Sequence, residues 1–134
     1  MDERIYRALA RGHTIDMTTT GRHTGQARRI EIFFHNIDGR IYVSGMPRPE
    51  RKRAWLYNLE SDPRMTLHLN GAVVADLPAR ARVIDDEAER RSIMPAIAAN
   101  WNRSDVENMV RWSPLIEVTL NDTRALSGMS DRRA

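Results

Sequence analysis

Apolar and polar positions alternate in several short stretches of this chain. Residues 27–37, ARRIEIFFHNI, put Ile30, Ile32 and Phe34 on one face and Arg29, Glu31 and His35 on the other. That period of two is the signature of a half-buried strand. Residues 64–70, RMTLHLN, repeat it with Met65, Leu67 and Leu69, and residues 13–20 set Ile15 and Met17 against Thr14, Asp16 and Thr18. Shorter or longer runs at 40–45 (RIYVSG), 72–84 (AVVADLPARARVI) and 115–120 (LIEVTL) complete the set. Asp38-Gly39 and Asn70-Gly71 are favoured two-residue hairpin pairs, so each predicts a tight turn between neighbouring strands. Pro78, inside the longest run, marks a bulge or an edge, because proline has no N–H for a central ladder.

Helical spacing appears between these runs. Residues 2–11 suit a short helix ending at Gly12. ERKRAWLYNL, residues 50–59, places Trp55 and Leu59 one turn apart, and Pro63 stops it. Asp86 with Glu89 reads as a capping box opening a helix that Pro95 kinks or breaks. Ser104 with Glu107 reads as a second cap, for a helix through Arg111 or Trp112. From Asn121 the chain is polar. Strands joined mostly as hairpins, with short helices inserted, predict an α+β chain that is mainly antiparallel β, an open sheet or a closed barrel. They argue against a doubly wound parallel fold, which alternates strand and helix regularly. We read a single domain over 1–134, with its core in 13–120 and a tail over 121–134.

Composition adds limits. The chain has 134 residues, 41% hydrophobic and 29% charged, an ordinary balance for one folded domain. It has no cysteine, which removes disulfides, thiolate nucleophiles and thiolate metal sites. No apolar run approaches the roughly 20 residues that span a bilayer. The charged opening, MDERIYRALARG, lacks a signal-peptide core, so the expectation is a cytoplasmic protein without membrane insertion. Net charge is only +3, but it is unevenly placed. Arg22, Arg28 and Arg29 form one basic cluster; Arg48, Arg51, Lys52 and Arg53 form another; acid gathers at Asp85, Asp86, Glu87 and Glu89. A local positive field facing one anion fits this better than a uniformly basic nucleic-acid coat.

The first cluster lies in TTTGRHTGQARR, residues 18–29. A hairpin brings the start of the second strand and the end of the third to one end of the sheet, so the two clusters can converge. Gly21 and Gly25 let the backbone turn and approach a ligand, leaving amide hydrogens for phosphate oxygens. Arginine adds a planar charged fork, and Thr18, Thr20 and Thr24 add hydroxyls. The plainer alternative is a solvated turn with surface arginines. The four histidines at 13, 23, 35 and 68 lack metal-ligand spacing, so no metal site is expected. His68 suits a cross-strand partner. Trp55, Trp101 and Trp112 suit the core. Tyr57 offers a proton donor or an end cap with its hydroxyl in water.

These segments carry a resemblance. TTTGRHTGQARR at 18–29 and WLYNLESDP at 55–63 resemble the TTTGRxSGxxR and W-Y-x-N-L-x-x-(N/D)-P motifs of the deazaflavin-dependent nitroreductase family, in the same order. The likeness covers residues 13–120. It implies a six-stranded split β-barrel of the flavin-reductase type with short peripheral helices. It also implies coenzyme F420, a 5-deazaflavin whose tail bears a phosphodiester and several glutamates. Carried over by position, Thr20, Gly21, Arg22, His23, Thr24 and Gly25 would meet the phosphate and tail, with Arg28 and Arg29 behind them and Arg51 and Lys52 in the second cluster. Val43, Ser44, Gly45 and Met46 would line the ring, with Trp55 near it. The chain departs from the pattern after the third strand, where Gly45 and Met46 stand in place of serine and lysine or asparagine. It also has Trp101, Asn102, Met109 and Trp112 where relatives carry tyrosines.

What the resemblance implies is an oxidoreductase that moves a hydride from reduced deazaflavin to a quinone, enone or nitroaromatic. No catalytic base is required; the backbone amides near Ser44 and Gly45, with Tyr57 or Asn58 in reserve, are the candidates for polarising the acceptor. The competing readings are an FMN-binding protein of the same fold, a non-catalytic carrier of a cofactor or lipid, and a nucleic-acid module. The last is disfavoured because aromatics are 6% of the chain and stand mostly apart from the arginines. The expected partner is a small-molecule acceptor, with the chain a monomer or homodimer.

Overall fold

The structure is a computed structural model and describes residues 3–11, 13–49 and 52–121. The elements run α1 (Glu3–Arg11), β1 (His13–Thr20), β2 (Ala27–Ile37), β3 (Arg40–Ser44), α2 (Ala54–Ser61), β4 (Arg64–Asn70), β5 (Val74–Val83), α3 (Glu87–Asn100), α4 (Val106–Trp112) and β6 (Leu115–Leu120). The strands close into an antiparallel barrel in the order β1-β2-β3-β6-β5-β4. The alternation seen in the sequence fills it: Met17, Val43, Leu67 and Ile116 point inward and have no exposed surface. Leu9 of α1 and Trp55, Leu56 and Leu59 of α2 join the same core. A second core lies outside β3 and β6, where Tyr42 and Leu115 pack under Met94, Ile97, Met109 and Val110 of α3 and α4. Among the described residues, no helix is long and apolar enough to cross a membrane.

The turns divide by backbone geometry. Asp38 and Gly39 both take positive φ (53° and 83°), the geometry a two-residue hairpin turn requires. Asn70-Gly71 does not form such a turn. Asn70 pairs with Val74, so the loop is Gly71–Val73 and Asn70 is the last strand residue. Its side-chain amide donates instead to Asp16 Oδ2 on β1, at 3.3 Å. Pro78 causes no bulge: it pairs in register with Thr66. Its carbonyl accepts from the Asn121 N–H at 2.9 Å, so its missing donor falls where the β5–β6 ladder runs out.

The helices show three differences from expectation. α2 begins at Ala54; the start expected at residues 50 and 51 lies outside the described residues, as does the tail from residue 122. The capping box forms as expected, with Asp86 Oδ2 accepting from the Glu89 N–H at 2.9 Å. α3 then continues through Pro95 to Asn100 instead of breaking. Pro95 sits on the exposed side, where water serves the carbonyl it leaves unpaired, while Met94, Ile97 and Ala98 hold the helix to the core. Ser104 caps nothing. The N-cap of α4 is Asp105, whose carboxylate accepts from Arg103 and Asn108.

Two polar side chains fasten the helical layer. Arg90 of α3 donates to the carbonyls of Ile84 (2.9 Å), Val110 (2.8 Å), Met109 (3.3 Å) and Ser113. Burial holds its guanidinium below the usual arginine range. His35 of β2 is buried, and its Nδ1 lies 3.1 Å from the Asn100 side-chain amide. Burial pushes its pKa down from 6.5 to about 4.

Arg90→Leu should therefore destabilise the fold by about 2–4 kcal/mol, read from the urea midpoint at unchanged slope, because it strips several carbonyls of their shared donor. For His35 the proton balance fixes the sign. Above pH 6.5 both folded and unfolded chains hold it neutral; between pH 6.5 and 4 only the unfolded chain takes up the proton. Stability should fall as pH drops through that window, by on the order of 3 kcal/mol. Urea titrations at pH 7 and pH 4.5 should show this loss in the wild type and a smaller one in His35→Phe.

Candidate functional site

The first half of β2 has a partner on one side only. Residues 27–33 pair with β1, whereas β3 joins β2 only from Phe34 onward. β3 ends at Ser44, and the chain leaves the sheet before returning as α2. The barrel is split along this edge. The half-buried side chains of Ile30 and Ile32 face the split and pack on the core. Two separate cavities lie along it, one beside Ile30, Ala54 and Trp55, the other beside Ile32 and Arg53.

The first cavity, about 390 Å³, is lined by Gly21, Arg22, His23, Thr24 and Arg28 from the β1–β2 loop and by Trp55 and Asn58 from α2. The loop is a closed structure. Gly21 N–H donates to the Gln26 carbonyl and Gly25 N–H to the Gly21 carbonyl, both at 2.8 Å; Gln26 N–H donates to Thr24 Oγ1 at 3.2 Å. Gly25 has φ +71°, which disfavours any side chain there. Buried Asn58 ties the loop to α2: its Oδ1 accepts from the Arg22 N–H at 3.1 Å, and its Nδ2 donates to Thr19 Oγ1 at 3.2 Å. The amides expected to face a phosphate are thus mostly engaged, and only those of His23 and Thr24 lack a partner among the described residues. Side chains carry the positive charge instead. Arg22 Nε lies 3.0 Å from His23 Nε2, which accepts from it.

Strand alternation separates the two adjacent arginines. Arg28 lines the cavity, while Arg29 lies on the outer face, its Nε donating to Asp16 Oδ2 at 2.9 Å. Thr18 also faces outward, bonded to His68 Nε2 at 2.7 Å, with His68 Nδ1 on Asp76 Oδ1 at 2.7 Å. His68 is the cross-strand partner its position suggested. Trp55 is both core and cavity wall.

The second cavity, about 210 Å³, lies at the far end of the split between Phe33, Trp101, Ser44, Gly45, Met46 and Arg48. Phe33 is 48% and Met46 39% exposed, so apolar side chains stand at the mouth beside Glu31, Arg48 and Arg53. Val43 is not on this surface; its side chain is inside the barrel. Ser44 is fully buried, and its hydroxyl already donates to the Pro114 carbonyl at 2.6 Å. Arg53 donates to the Met46 carbonyl, and Arg103 Nη1 lies 3.0 Å from Met46 Sδ.

The second basic cluster does reach the first, through an aromatic ring. Arg22 Cζ stands 4.1 Å and Lys52 Nζ 4.4 Å from the centroid of Tyr57. Tyr57 therefore lies at the cationic end, among basic residues, and not beside Ser44 and Gly45. Lys52 is also held by Glu60, at 2.6 and 2.7 Å, which offsets part of its charge. Arg51 lies outside the described residues. Among the described residues no cluster of three or more His, Asp or Glu could hold a metal. Nothing in the spacing marked Asn58 as the tether or Phe33 as an exposed aromatic; both emerge only when α2 and the split are in place.

Solved structures share this architecture at low identity. A conserved hypothetical protein of Mycobacterium tuberculosis matches 90% of this chain and 81% of its own, at 17% identity and TM-score 0.70. A putative 5-nitroimidazole antibiotic resistance protein of Bacteroides thetaiotaomicron matches 91% and 81%, at 13% identity and TM-score 0.66. A putative pyridoxamine 5'-phosphate oxidase of Listeria innocua matches 90% and 93%, at 11% identity and TM-score 0.64. These likenesses establish the fold, a split barrel of the flavin-reductase type. The model of the F420H(2)-dependent quinone reductase family matches residues 2–118. With that match spanning nearly all of the barrel and its helices, the chain belongs to the F420H(2)-dependent quinone reductase family, a family of oxidoreductases.

Proposed function

We propose that the chain binds coenzyme F420 along the split and reduces a planar, electron-poor acceptor, a quinone before an enone or a nitroaromatic. One observation carries this reading: the split is lined differently at its two ends. Arg22 and Arg28, with His23 beside them, make one end cationic, while Phe33, Met46 and Trp101 give the other aromatic and apolar walls beside Arg48, Arg53 and Glu31; Ile30 lines the first and Ile32 the second. That polarity matches a long ligand with an anionic tail and a flat ring. The fit is one of side chains: guanidinium groups and a histidine for phosphate oxygens, with a loop that Asn58 holds rigid.

When bound, the deazaflavin supplies a hydride from its ring. The chain binds, orients and excludes water. Arg22 and Arg28 would grip the phosphate with charge-assisted hydrogen bonds. Ile30, Ile32 and Trp55 would form a dry floor, and Phe33 and Trp101 would flank the acceptor. Arg48, with the backbone at Gly45 and Met46, is placed to stabilise negative charge growing on the acceptor oxygen. The Ser44 hydroxyl is engaged with Pro114 and Tyr57 stands at the other end, so neither suits a proton donor at the ring. FMN is the alternative ligand; its single phosphate makes less use of two cationic clusters.

Fluorescence titration should show tighter binding of oxidised deazaflavin than of FMN, by about tenfold or more, with affinity falling as salt rises. Equal or tighter FMN binding would overturn the cofactor assignment. Reduced deazaflavin should be oxidised by menadione in the presence of the protein.

Arg22→Ala and Arg28→Ala should each weaken deazaflavin binding about tenfold or more, the loss of a charge-assisted bond worth roughly 1.5–3 kcal/mol. Arg29→Ala, with its side chain on the outer face, should bind like the wild type. Melting temperatures of all three should stay close to wild type, since exposed arginines contribute within about ±0.5 kcal/mol. Equal losses from Arg28→Ala and Arg29→Ala would count against the split as the site.

A further inference from the structure

We propose that His35 is a positioning residue which, through Trp101, sets the width of the aromatic end of the split; this rests on reading that end as the acceptor's place. Trp101 is a wall with space on both sides. It lines the 210 Å³ cavity with Ser44, Gly45 and Met46, and a second cavity of about 350 Å³ with Arg11, Asn36 and Asn100. The ring rests against the core under α3 and α4 and borders both cavities, so close packing holds only part of its surface. Its backbone is pinned at the end of α3, where the Trp101 N–H donates to the Ile97 and Ala98 carbonyls and the chain turns through Asn102 at φ 54°. Beyond that core packing the indole makes two edge-on ring contacts, with His35 at 4.8 Å and Phe33 at 5.9 Å.

The two contacts are unequal. Phe33 is 48% exposed, whereas His35 is 4% exposed and held at Nδ1 by Asn100, the last residue of α3. His35 thus ties the helix end and the indole to the same strand that forms the floor of the split. Its chemistry is also unexplained by stability. The Nε2 atom is buried with no partner, and a phenylalanine would fill the space without leaving a polar atom unsatisfied. Such an arrangement is expected at a functional position more than in plain core.

The test uses protein labelled with 5-fluorotryptophan, giving one fluorine resonance for each of the three tryptophans, with that of Trp101 assigned by Trp101→Phe. In His35→Ala the Trp101 resonance should shift and broaden while those of Trp55 and Trp112 hold. With menadione as acceptor, KM should rise about tenfold, with kcat and the deazaflavin Kd within about twofold. His35→Phe, which restores an edge-on ring, should restore both. Asn100→Ala, at the exposed helix end, should give a smaller change of the same kind, and it decides the matter if His35→Ala does not fold. An unmoved Trp101 resonance overturns the proposal, as does a rise in KM that His35→Phe leaves in place. If the wild type binds no deazaflavin, the functional reading falls, while the fluorine spectra still decide whether His35 sets Trp101.

Discussion

The mismatch between β2 and β3 governs the rest of the molecule. β2 has eleven residues and β3 five, so closure of the barrel leaves half of β2 without a partner on one side. An open strand edge must be covered or it invites pairing with another chain. Here the cover is the segment after β3 together with the start of α2. Neither is a strand, so the cover is incomplete and two cavities remain along Ile30 and Ile32. The site is thus a by-product of closure: a fully paired β2 would remove it.

Charge reaches the split by alternation and is held there by one buried amide. Because neighbouring strand side chains point to opposite faces, Arg28 faces the cavity and Arg29 faces Asp16. Asn58 then joins the arginine loop to a helix that is itself part of the barrel core. A buried amide with both ends bonded is stable only in one arrangement, so it makes the position of the loop as definite as the core. The cationic end is therefore rigid; on the proposed function, adaptation to different acceptors would fall to the aromatic end.

That end depends on the second core. α3 and α4 pack on the outside of β3 and β6, with Arg90 gathering four carbonyls where the helices meet the sheet. Only the last turn of α3 reaches past this layer, and it delivers Trp101 to the split. Chain-distant elements thus make the two walls of one cavity, β3 with its following segment on one side and the end of α3 on the other.

Local rules determined a good deal. Alternation gave β1, β2, β4 and β6 with their observed ends, because each strand has one face in the barrel core and the other mostly in water, save where α3 and α4 cover Leu115 and His35. Asp38-Gly39 gave its turn because both residues accept positive φ, and Asp86 with Glu89 gave its cap. The paired motifs at 18–29 and 55–63 gave the family, and with it the split barrel. What failed locally depended on distant partners. Asn70 left its turn for Asp16, Ser104 lost its cap to Asp105, and Pro95 did not break a helix whose other face was anchored. Only the tertiary structure decided which of Arg28 and Arg29 faces the split, withdrew Val43 into the core, and brought Tyr57 between Arg22 and Lys52. The reason is physical: strand and turn preferences act over a few residues, whereas the split exists only where β2, β3, α2 and α3 meet, and no short stretch of sequence holds all four.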